Sequence, residues 1–344
     1  MNFRSDNVTG IAPEIIAAIA AANTGDSPSY GADPITARVT RRFAEIFEHE
    51  VAVFPLATGT AANALALATM VPPWGAVYCH EESHVQTDEC GAPEFYAGGA
   101  KLIGLPGADA KLGPAAVEAR MIEQGVVHHA QPAAISISQA TEAGTLYTLA
   151  EVGALGALAR RYGLALHMDG ARFANAVAAL GCSPAEITWR AGVDVLSFGA
   201  TKNGALAAEA VIFFDPEKAA DFAFRQKRGG HLFSKMRFLS AQLDAYLADG
   251  LWLRNAMHAN CVAARLAEDL AQIAGACLRY PTQANEVFVE LPERAIRALA
   301  EAGFGFYRWG GESSRCLRLV AAFDSRLEDA EALIGVARRH GGPM

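Results

Sequence analysis

The chain has 344 residues, 52% of them hydrophobic, which is enough for two domains or for one large α/β domain with an appendage. Acidic residues outnumber lysine and arginine by 37 to 29. The net charge of -8 therefore disfavours general binding to nucleic acids or anionic membranes, which need a basic surface. The opening residues show no secretory signal, and the longest apolar run, residues 15–22, is far short of the roughly 20 residues of a membrane span.

The six cysteines are spread along the chain without a C-x-x-C pair. This spacing is typical of small buried hydrophobic residues in a reducing compartment, and not of a disulfide framework or a zinc site. We therefore expect a cytoplasmic protein without a metal centre. The residues concerned are Cys79, Cys90, Cys182, Cys261, Cys277 and Cys316.

Taken in chain order, seven short apolar segments predict β-strands. Helix-like segments lie between them, among them residues 60–70 and residues 149–163, the second of which ends on Gly163 as a helix C-cap does. Near-continuous apolar strands separated by helices predict a largely parallel sheet with helices on both faces. The predicted strands are residues 51–57, 76–80, 101–105, 133–138, 164–169, 193–198 and 210–214.

The pattern changes after about residue 220, where a basic stretch, residues 224–238, leads into long amphipathic helices. Apolar segments at 286–291, 306–309 and 316–323 and a final helix follow. This order predicts a smaller α+β domain. We therefore expect a large domain over residues 1–245, which includes the N-terminal segment, and a small C-terminal domain over residues 246–344.

Polar residues follow several predicted strands, and ligands of open parallel sheets bind outside the carboxyl ends of the strands. After the first strand come Thr58, Gly59 and Thr60 and then an alanine-rich helix. Free backbone N–H groups at the start of such a helix suit a phosphate group. Taken alone, a turn with a helix cap is the commoner interpretation of this tripeptide.

Two charged residues follow other strands of the predicted sheet. Asp169 ends an apolar strand, where a carboxylate is costly to bury unless a positive group meets it; alone it is also compatible with a helix cap or an ion pair with Arg172. Lys202 follows a further strand among small residues, where a poorly hydrated amine suits Schiff-base chemistry, although most lysines in loops are surface residues. Together with the phosphate turn, these residues are the parts needed to hold pyridoxal 5'-phosphate (PLP).

Several motifs in matching order then give the sequence a resemblance to a known family. They are NFRSDNVTG (2–10), SYGADP (29–34), ATGTAAN (57–63), HVQTDECGAPE (84–94), HMDGARFANA (167–176), SFGATKNG (197–204), KMRF (235–238) and LRLVAAFD (317–324). The sequence resembles the PLP-dependent threonine aldolases of the β-eliminating lyase group. The resemblance covers essentially the whole chain and implies PLP fold type I, with a seven-stranded, mostly parallel sheet in the large domain.

The resemblance implies roles in cofactor binding. Lys202 is similar to the lysine that binds PLP covalently, and Asp169 to the partner of the pyridine nitrogen. Thr58, Gly59 and Thr60 resemble the phosphate cup. His84 resembles an imidazole stacked on the ring of PLP, although a histidine in a turn or a core is the simpler interpretation without the family.

Further roles implied by the resemblance concern the substrate and the neighbouring subunit. Arg172 resembles an arginine that contacts both the phenolic oxygen of PLP and the substrate, and Arg318 and Ser5 resemble residues that hold the substrate carboxylate. The alternative for both arginines is a structural ion pair. Arg237 is similar to a residue that reaches the phosphate of a neighbouring subunit, and Tyr30 approaches the site similarly. The basic stretch around Arg237 is also compatible with a solvated surface.

One segment departs from the pattern of the family. Better-known members carry Glu-Asn-Thr-His where this chain has Gln139-Ala140-Thr141-Glu142. Glu142 thus takes the place of a histidine near the hydroxyl group of the substrate. This difference leaves open which group accepts the hydroxyl proton and which stereoisomer is preferred.

The implied reaction is cleavage of the Cα–Cβ bond of L-threonine, L-allo-threonine or a related β-hydroxy-α-amino acid such as phenylserine, giving glycine and an aldehyde. His84, directly or through a water, or Glu142 would take the hydroxyl proton. The implied assembly is a homotetramer, a dimer of dimers with shared sites. The alternatives are β-elimination, transamination or decarboxylation on the same scaffold, and a non-catalytic binding module. A NAD-dependent oxidoreductase is disfavoured because no G-x-G-x-x-G follows the first strand.

Overall fold

The computed structural model describes residues 1–342 of the chain. Its strands are β1 (Ala52–Leu56), β2 (Gly75–His80), β3 (Lys101–Leu105), β4 (Gln131–Ser138), β5 (Ala165–Gly170), β6 (Val195–Gly199), β7 (Glu209–Phe213), β8 (Cys277–Leu278), β9 (Glu286–Glu290), β10 (Tyr307–Arg308) and β11 (Cys316–Val320). Its α-helices are α1 (Pro13–Ala22), α2 (Pro34–Phe47), α3 (Gly59–Met70), α4 (His84–Thr87), α5 (Ala92–Tyr96), α6 (Pro114–Glu118), α7 (Leu149–Tyr162), α8 (Phe173–Leu180), α9 (Pro184–Ile187), α10 (Phe222–Arg228), α11 (Arg237–Leu247), α12 (Leu251–Ala271), α13 (Glu293–Glu301) and α14 (Leu327–Arg339).

The seven apolar segments predicted as strands form one sheet in the order β1-β7-β6-β5-β4-β2-β3. The strands β6, β5, β4, β2 and β3 are mutually parallel, and β7 is antiparallel to both of its neighbours, so β7 alone opposes the rest. Every residue of β2, β6 and β7 is buried, which explains why these strands are apolar without alternation. The mostly parallel seven-stranded sheet is confirmed.

Helices cover both faces of the sheet, because successive side chains of each strand point to opposite faces. On one face Phe198 and Ile212 belong to a core cluster that includes Phe43 of α2. On the other face Val211 packs with Leu65 of α3. The predicted Gly163 cap is confirmed: α7 ends at Tyr162, and Gly163 follows with φ of 68° and donates to two carbonyls of the last turn.

A second, four-stranded antiparallel sheet, in the order β10-β11-β9-β8, forms the smaller α+β unit. The three segments predicted here as strands are present, and β8 is an addition of two residues. Helices α13 and α14 cover this sheet around a separate core that includes Val287 and Leu317. The N-terminal Phe3 is buried in the same core, held by hydrogen bonds to Gly305 and Val320.

Helix α12 connects the two cores. Its first residues, Leu251 and Trp252, are buried in the core of the large sheet, and Leu266 and Leu270 near its end are buried in the second core. The division of the chain between residues 245 and 246 stays a prediction.

The cysteines differ in part from the expectation. All six are free. Cys79 and Cys316 are buried and Cys182 is half-buried, but Cys90, Cys261 and Cys277 are exposed. The prediction of buried residues is therefore wrong for these three, because spacing along the chain carries no information on which face of a helix or loop a cysteine occupies. Within residues 1–342, no helix has both the length and the apolar character needed to cross a bilayer.

Candidate active site

A cavity of about 510 Å³ lies between the large sheet, the N-terminal segment and the small sheet. Its wall includes the last residues of β4 and β5, the turn after β6 and the first residues of α3, so it opens at the carboxyl ends of the strands, where ligands of such sheets bind. Ten residues named from the sequence line it: Ser5, Thr58, Gly59, Thr60, His84, Glu142, Asp169, Arg172, Lys202 and Arg318.

Asp169 lies at the floor of this cavity and is only 6% exposed. Its Oδ1 accepts from the backbone N–H of Ala171 at 2.9 Å, and its Oδ2 accepts from the Asn63 side-chain amide at 2.8 Å. The guanidinium of Arg172 pairs with Asp6 instead. Asp169 is therefore fixed by neutral donors, and within residues 1–342 no arginine forms an ion pair with it, which suits a protonated nitrogen supplied by a ligand.

A hydrogen-bonded chain connects Asp169 to His84. The amide nitrogen of Asn63 donates to Asp169 and also to Oε1 of Glu89, at 2.8 Å in both cases. The same Oε1 lies 3.0 Å from Nδ1 of His84. With Glu89 ionised, Nδ1 carries the hydrogen, and Nε2 of the neutral imidazole is left as an acceptor. The chain therefore fixes both the orientation and the tautomer of His84.

Burial and these contacts shift the pKa values of two groups, Glu89 and His84. Burial raises the pKa of Glu89, although the hydrogen bonds from His84 and Asn63 oppose the rise. The hydrogen bond to Glu89 raises the pKa of His84, against the effect of burial, and the charge of Asp169 adds to the rise. Sequence analysis did not identify Asn63 or Glu89, although both lie inside quoted motifs, because their roles depend on contacts with other segments.

Glu142 lies beside His84 with one oxygen held and one free. Its Oε1 accepts from the backbone N–H of His84 at 2.8 Å and from Oγ of Ser138 at 2.9 Å. Its Oε2 is buried and has no hydrogen-bond partner among the described residues. Burial raises the pKa of Glu142 to about 7; the two donors oppose the rise and the charge of Asp169 adds to it. This carboxyl group therefore gains and loses a proton near neutral pH.

Two arginines on the opposite wall share two buried carboxylates. Arg172 donates to both oxygens of Asp6, at 2.8 and 2.9 Å, and its Nη1 lies 3.4 Å from Glu286. Arg318 donates from Nε to Glu286 at 3.0 Å. Burial lowers the pKa of Arg172, but the charges of Asp6 and Glu286 outweigh it and raise the pKa overall, so this arginine stays charged. Both arginines thus form ion pairs and also line the cavity.

Lys202 is positioned by the short helical turn Thr201–Asn203 that follows β6. The turn is fixed on both sides of the lysine. The Asn203 amide donates to the hydroxyl of Tyr246 at 2.7 Å and to the carbonyl of Trp252 at 2.8 Å, and Oγ1 of Thr201 accepts from the Ala208 N–H at 3.1 Å. These contacts therefore hold the backbone of Lys202 in place at the cavity wall.

The first residues of α3 form the remaining wall. Thr58 is the N-cap, and its hydroxyl accepts from the N–H of Ala61 at 3.2 Å. The first N–H groups of a helix have no partner within the helix, and a Cβ built on Gly59 would meet nothing within 4 Å, so there is open space at this point. An anion-binding helix start, an unneutralised buried carboxylate and a lysine in one cavity together fit PLP.

Tyr30 and Arg237 do not line the cavity of their own chain. Tyr30 is 49% exposed, with its backbone N–H bonded to the carbonyl of Ser234 and its ring 4.7 Å from the ammonium of Lys227. Arg237 donates to the carbonyl of Gly25 at 3.0 Å. The segments around residues 25–31 and 227–237 thus lie side by side, and neither Tyr30 nor Arg237 is among the residues that line the cavity.

Comparison with solved structures identifies proteins that share this fold. The structure of the threonine aldolase of Leishmania major superposes with a TM-score of 0.92 and 29% identity, covering 98% of both chains. An aspartate aminotransferase from Rhodobacter sphaeroides, 19% identical with a TM-score of 0.73, shares the fold. The fold and the site therefore define the class of fold type I PLP enzymes, as predicted.

Comparison of sequences places the chain within that class. The family model of the beta-eliminating lyases matches residues 2–293. The low-specificity L-threonine aldolase of Pseudomonas aeruginosa is 46% identical over 331 residues, which is 96% of this chain and 95% of that protein. An aldolase of the same name from a Pseudomonas species is 46% identical over 323 residues. The chain belongs to the beta-eliminating lyase family, and the resemblance stated from the motifs is confirmed.

Proposed function

We propose that the protein is a PLP-dependent low-specificity threonine aldolase. Its reaction is cleavage of L-threonine, L-allo-threonine or a related β-hydroxy-α-amino acid such as phenylserine to glycine and an aldehyde. Identity of 46% with aldolases of that name over nearly the full chain supports the reaction. The structural observation that carries the proposal is the cavity that brings Lys202, Asp169 and the start of α3 together with an arginine pair.

Four groups are proposed to hold the cofactor. When bound, PLP supplies a sink for the electron pair of the broken Cα–Cβ bond. Lys202, in the cavity wall, would hold the aldehyde carbon of the cofactor covalently through its amine. Asp169 keeps the proton on the pyridine nitrogen, and the N–H groups of Gly59 and Thr60 hold the phosphate. The imidazole of His84 covers the ring.

The substrate carboxylate is proposed to bind Arg318 and Arg172, with Ser5 as a further donor. A guanidinium group binds a carboxylate through two parallel hydrogen bonds, and such a pair fixes orientation as well as position. Orientation matters here because it determines which bond at Cα is broken. Arg172 is itself held by Asp6, so its guanidinium is already placed before substrate arrives. Its contact with the phenolic oxygen of PLP belongs to the same proposal.

The hydroxyl proton of the substrate is proposed to pass to His84 or to Glu142. The neutral imidazole of His84 offers Nε2 as the acceptor, directly or through a water, because Nδ1 is used by Glu89. Glu142 offers its unpartnered Oε2. Its pKa of about 7, raised by burial, makes the carboxylate a base that is matched to neutral pH.

Product analysis tests the proposed reaction. The purified protein is incubated with PLP and separately with L-threonine, L-allo-threonine and each phenylserine isomer. The expected products are glycine and acetaldehyde or benzaldehyde, at rates that define the preference at Cβ. A 2-oxo acid with ammonia would identify β-elimination instead, and a 2-oxo acid without ammonia would identify transamination.

The proposed assembly is a cytoplasmic homotetramer, a dimer of dimers in which Arg237 and Tyr30 reach the cavity of a neighbouring subunit. Neither residue lines the cavity of its own chain, which supports a role between subunits. The cytoplasmic location rests on the six free cysteines. A large domain of residues 1–245 and a small domain of residues 246–344 belong to the same proposal.

A further inference from the structure

Glu209 is a carboxyl group in the cavity wall to which the proposed mechanism assigns no role. It is 7% exposed and begins β7, the strand that runs against the rest of the sheet. Its backbone lies opposite Leu56 of β1 on one side and Gly199 of β6 on the other. The chain leads from Leu56 into the Thr58–Thr60 turn and from Gly199 to Lys202. Glu209 is therefore placed between the phosphate turn and the lysine.

The hydrogen bonds to the carboxylate of Glu209 come from uncharged groups and do not neutralise its negative charge. Its Oε2 accepts from the backbone N–H of Ala200 at 3.3 Å, and Thr201 provides a further hydrogen bond. The charges of Lys202 beyond β6 and of Asp169 on β5 act on it, and its own charge acts on Tyr246 of α11. No lysine or arginine in residues 1–342 lies within ion-pair distance of it. Lys202 is a cation whose charge lowers the pKa of Glu209, and the proposed chemistry commits it to the cofactor.

An ionised carboxylate at this place would oppose the binding of a phosphate. A phosphate ester carries close to two negative charges above about pH 7. Two like charges close together in a partly buried site repel strongly. A protonated carboxyl group, in contrast, has an O–H donor to offer to a phosphate oxygen. Burial raises the pKa of Glu209 to about 7, with Thr201 and Lys202 opposing and Asp169 adding, so the neutral form is accessible near neutral pH.

We propose that Glu209 keeps a proton when the site is loaded and donates a hydrogen bond to the phosphate group at the start of α3. This inference rests on the proposed function, which places that phosphate. The proton is taken up from solvent when the cofactor binds above the pKa of free Glu209, and it returns to solvent when the cofactor leaves. Phosphate recognition is thereby linked to the uptake of one proton.

The linkage sets the sign of the pH dependence. Above about pH 7 the carboxyl group of the empty site is ionised and must bind a proton to accept the phosphate. The affinity for PLP then falls by up to about tenfold per pH unit until the pKa of the loaded state is reached. Pyridoxal, which lacks the phosphate, does not require this proton. The preference of the site for PLP over pyridoxal therefore falls as pH rises.

The experiment measures dissociation constants of PLP and pyridoxal for the full-length protein, from the visible absorbance on dilution, between about pH 7.5 and about pH 9. In the wild-type protein the ratio of the two constants should change several-fold over this range. In Glu209→Gln, whose amide donates a hydrogen bond at every pH, it should stay constant. Taking the ratio cancels the titration of Lys202, which both compounds share. A constant ratio in the wild type, or an equal change in the variant, overturns the inference.

A measurement on the wild-type protein alone covers the case in which the variant does not fold. The infrared C=O band of a protonated carboxyl group should be stronger with PLP than with pyridoxal at about pH 8.5, because Glu209 holds its proton only beside the phosphate. Identical bands overturn the inference while leaving the proposed function intact. Failure of both compounds to bind would overturn the proposed function, and this inference with it.

Discussion

Lys202 is the residue whose replacement is expected to change the protein most visibly. In the proposed function its amine would hold PLP covalently, and that bond would give the visible absorbance. Lys202→Ala should therefore lose both the absorbance and the aldol cleavage. Lys218→Ala is a suitable control because Lys218 pairs with Asp194 outside the cavity. A Lys202→Ala protein as coloured and as active as the wild type would contradict the assignment.

Glu142 is the residue at which this chain departs from its better-known relatives, and its role is tested by pH. Only the ionised form accepts a proton, and the pKa of about 7 means that this form is lost as pH falls through 7. Glu142→Gln should lower kcat/KM by about 10²–10⁴-fold. The decrease in kcat/KM as pH falls through 7 should also be absent from this variant. Glu82→Gln, at an exposed position nearby, is the control. Unchanged kcat/KM would leave His84 as the base.

Glu89 is a positioning residue that contacts both His84 and Asn63, and its removal should shift the pH profile through His84. The hydrogen bond to Glu89 is the largest cause that raises the pKa of His84. In Glu89→Gln that pKa should fall, and the neutral imidazole should persist to lower pH. The acid limb of kcat that belongs to His84 should therefore move to lower pH, with KM changed less than kcat. If kcat falls by the same factor at every pH and the acid limb does not move, the role of Glu89 is purely structural.

Among single residues, the sequence predicted many that line the cavity and missed those that hold them in place. Lys202 and Asp169 follow apolar strands, and that local pattern is visible in the chain. Asn63 is different, because its two partners, Glu89 and Asp169, lie 26 and 106 residues away. The contact between Glu286 and Arg318 spans 32 residues. Such contacts follow from the way the strands are ordered in the sheet, which residue pattern alone does not determine.

Helix α3 is the element whose start is expected to serve both stability and cofactor binding. The hydroxyl of Thr58 caps the helix, and loss of such a cap costs about 1 kcal/mol of stability. Thr58→Ala should lower Tm and also raise the dissociation constant of PLP. Thr148→Ala is a matched control because Thr148 caps α7, outside the cavity, in a capping box. The Tm of Thr148→Ala should fall by a similar amount, while its affinity for PLP should stay that of the wild type. If both variants bind PLP equally well, a phosphate site at the start of α3 is contradicted.

The strands were predicted more completely than their directions. Apolar segments identify all seven strands of the large sheet, but hydrophobicity is the same whichever way a strand runs. The antiparallel direction of β7 is indicated by the short connection between β6 and β7. Residues 200–208 separate β6 from β7, and a parallel connection needs a dozen or more residues, usually with a helix. Strand β8, with two residues, is too short for any periodic pattern.

The whole molecule is expected to contain sites that two subunits share. If Arg237 completes the cavity of a neighbour, Arg237→Ala and Lys202→Ala should each be nearly inactive, and a refolded equal mixture should regain about a quarter of wild-type activity through sites with both intact residues. Native mass spectrometry confirms that mixed oligomers have formed. No recovery in such oligomers, or full activity of Arg237→Ala alone, would contradict shared sites.

The motifs allowed the fold class and family to be predicted, but the assembly goes beyond what one chain contains. Tyr30 and Arg237 were assigned to the site from motifs alone, and in a single chain they lie outside the cavity. Their partners would come from another copy of the sequence. A pattern within one chain carries no information on which surfaces of two copies meet.

Helix α12 has a consequence for how the protein folds. It begins in the core of the large sheet and ends in the core of the small one, while Phe3 reaches the small core from the other end of the chain. Removing either half would therefore leave apolar surface of α12 facing water. The two cores are thus expected to form and melt as one cooperative unit, and the small C-terminal part is not expected to be removable as a separate module.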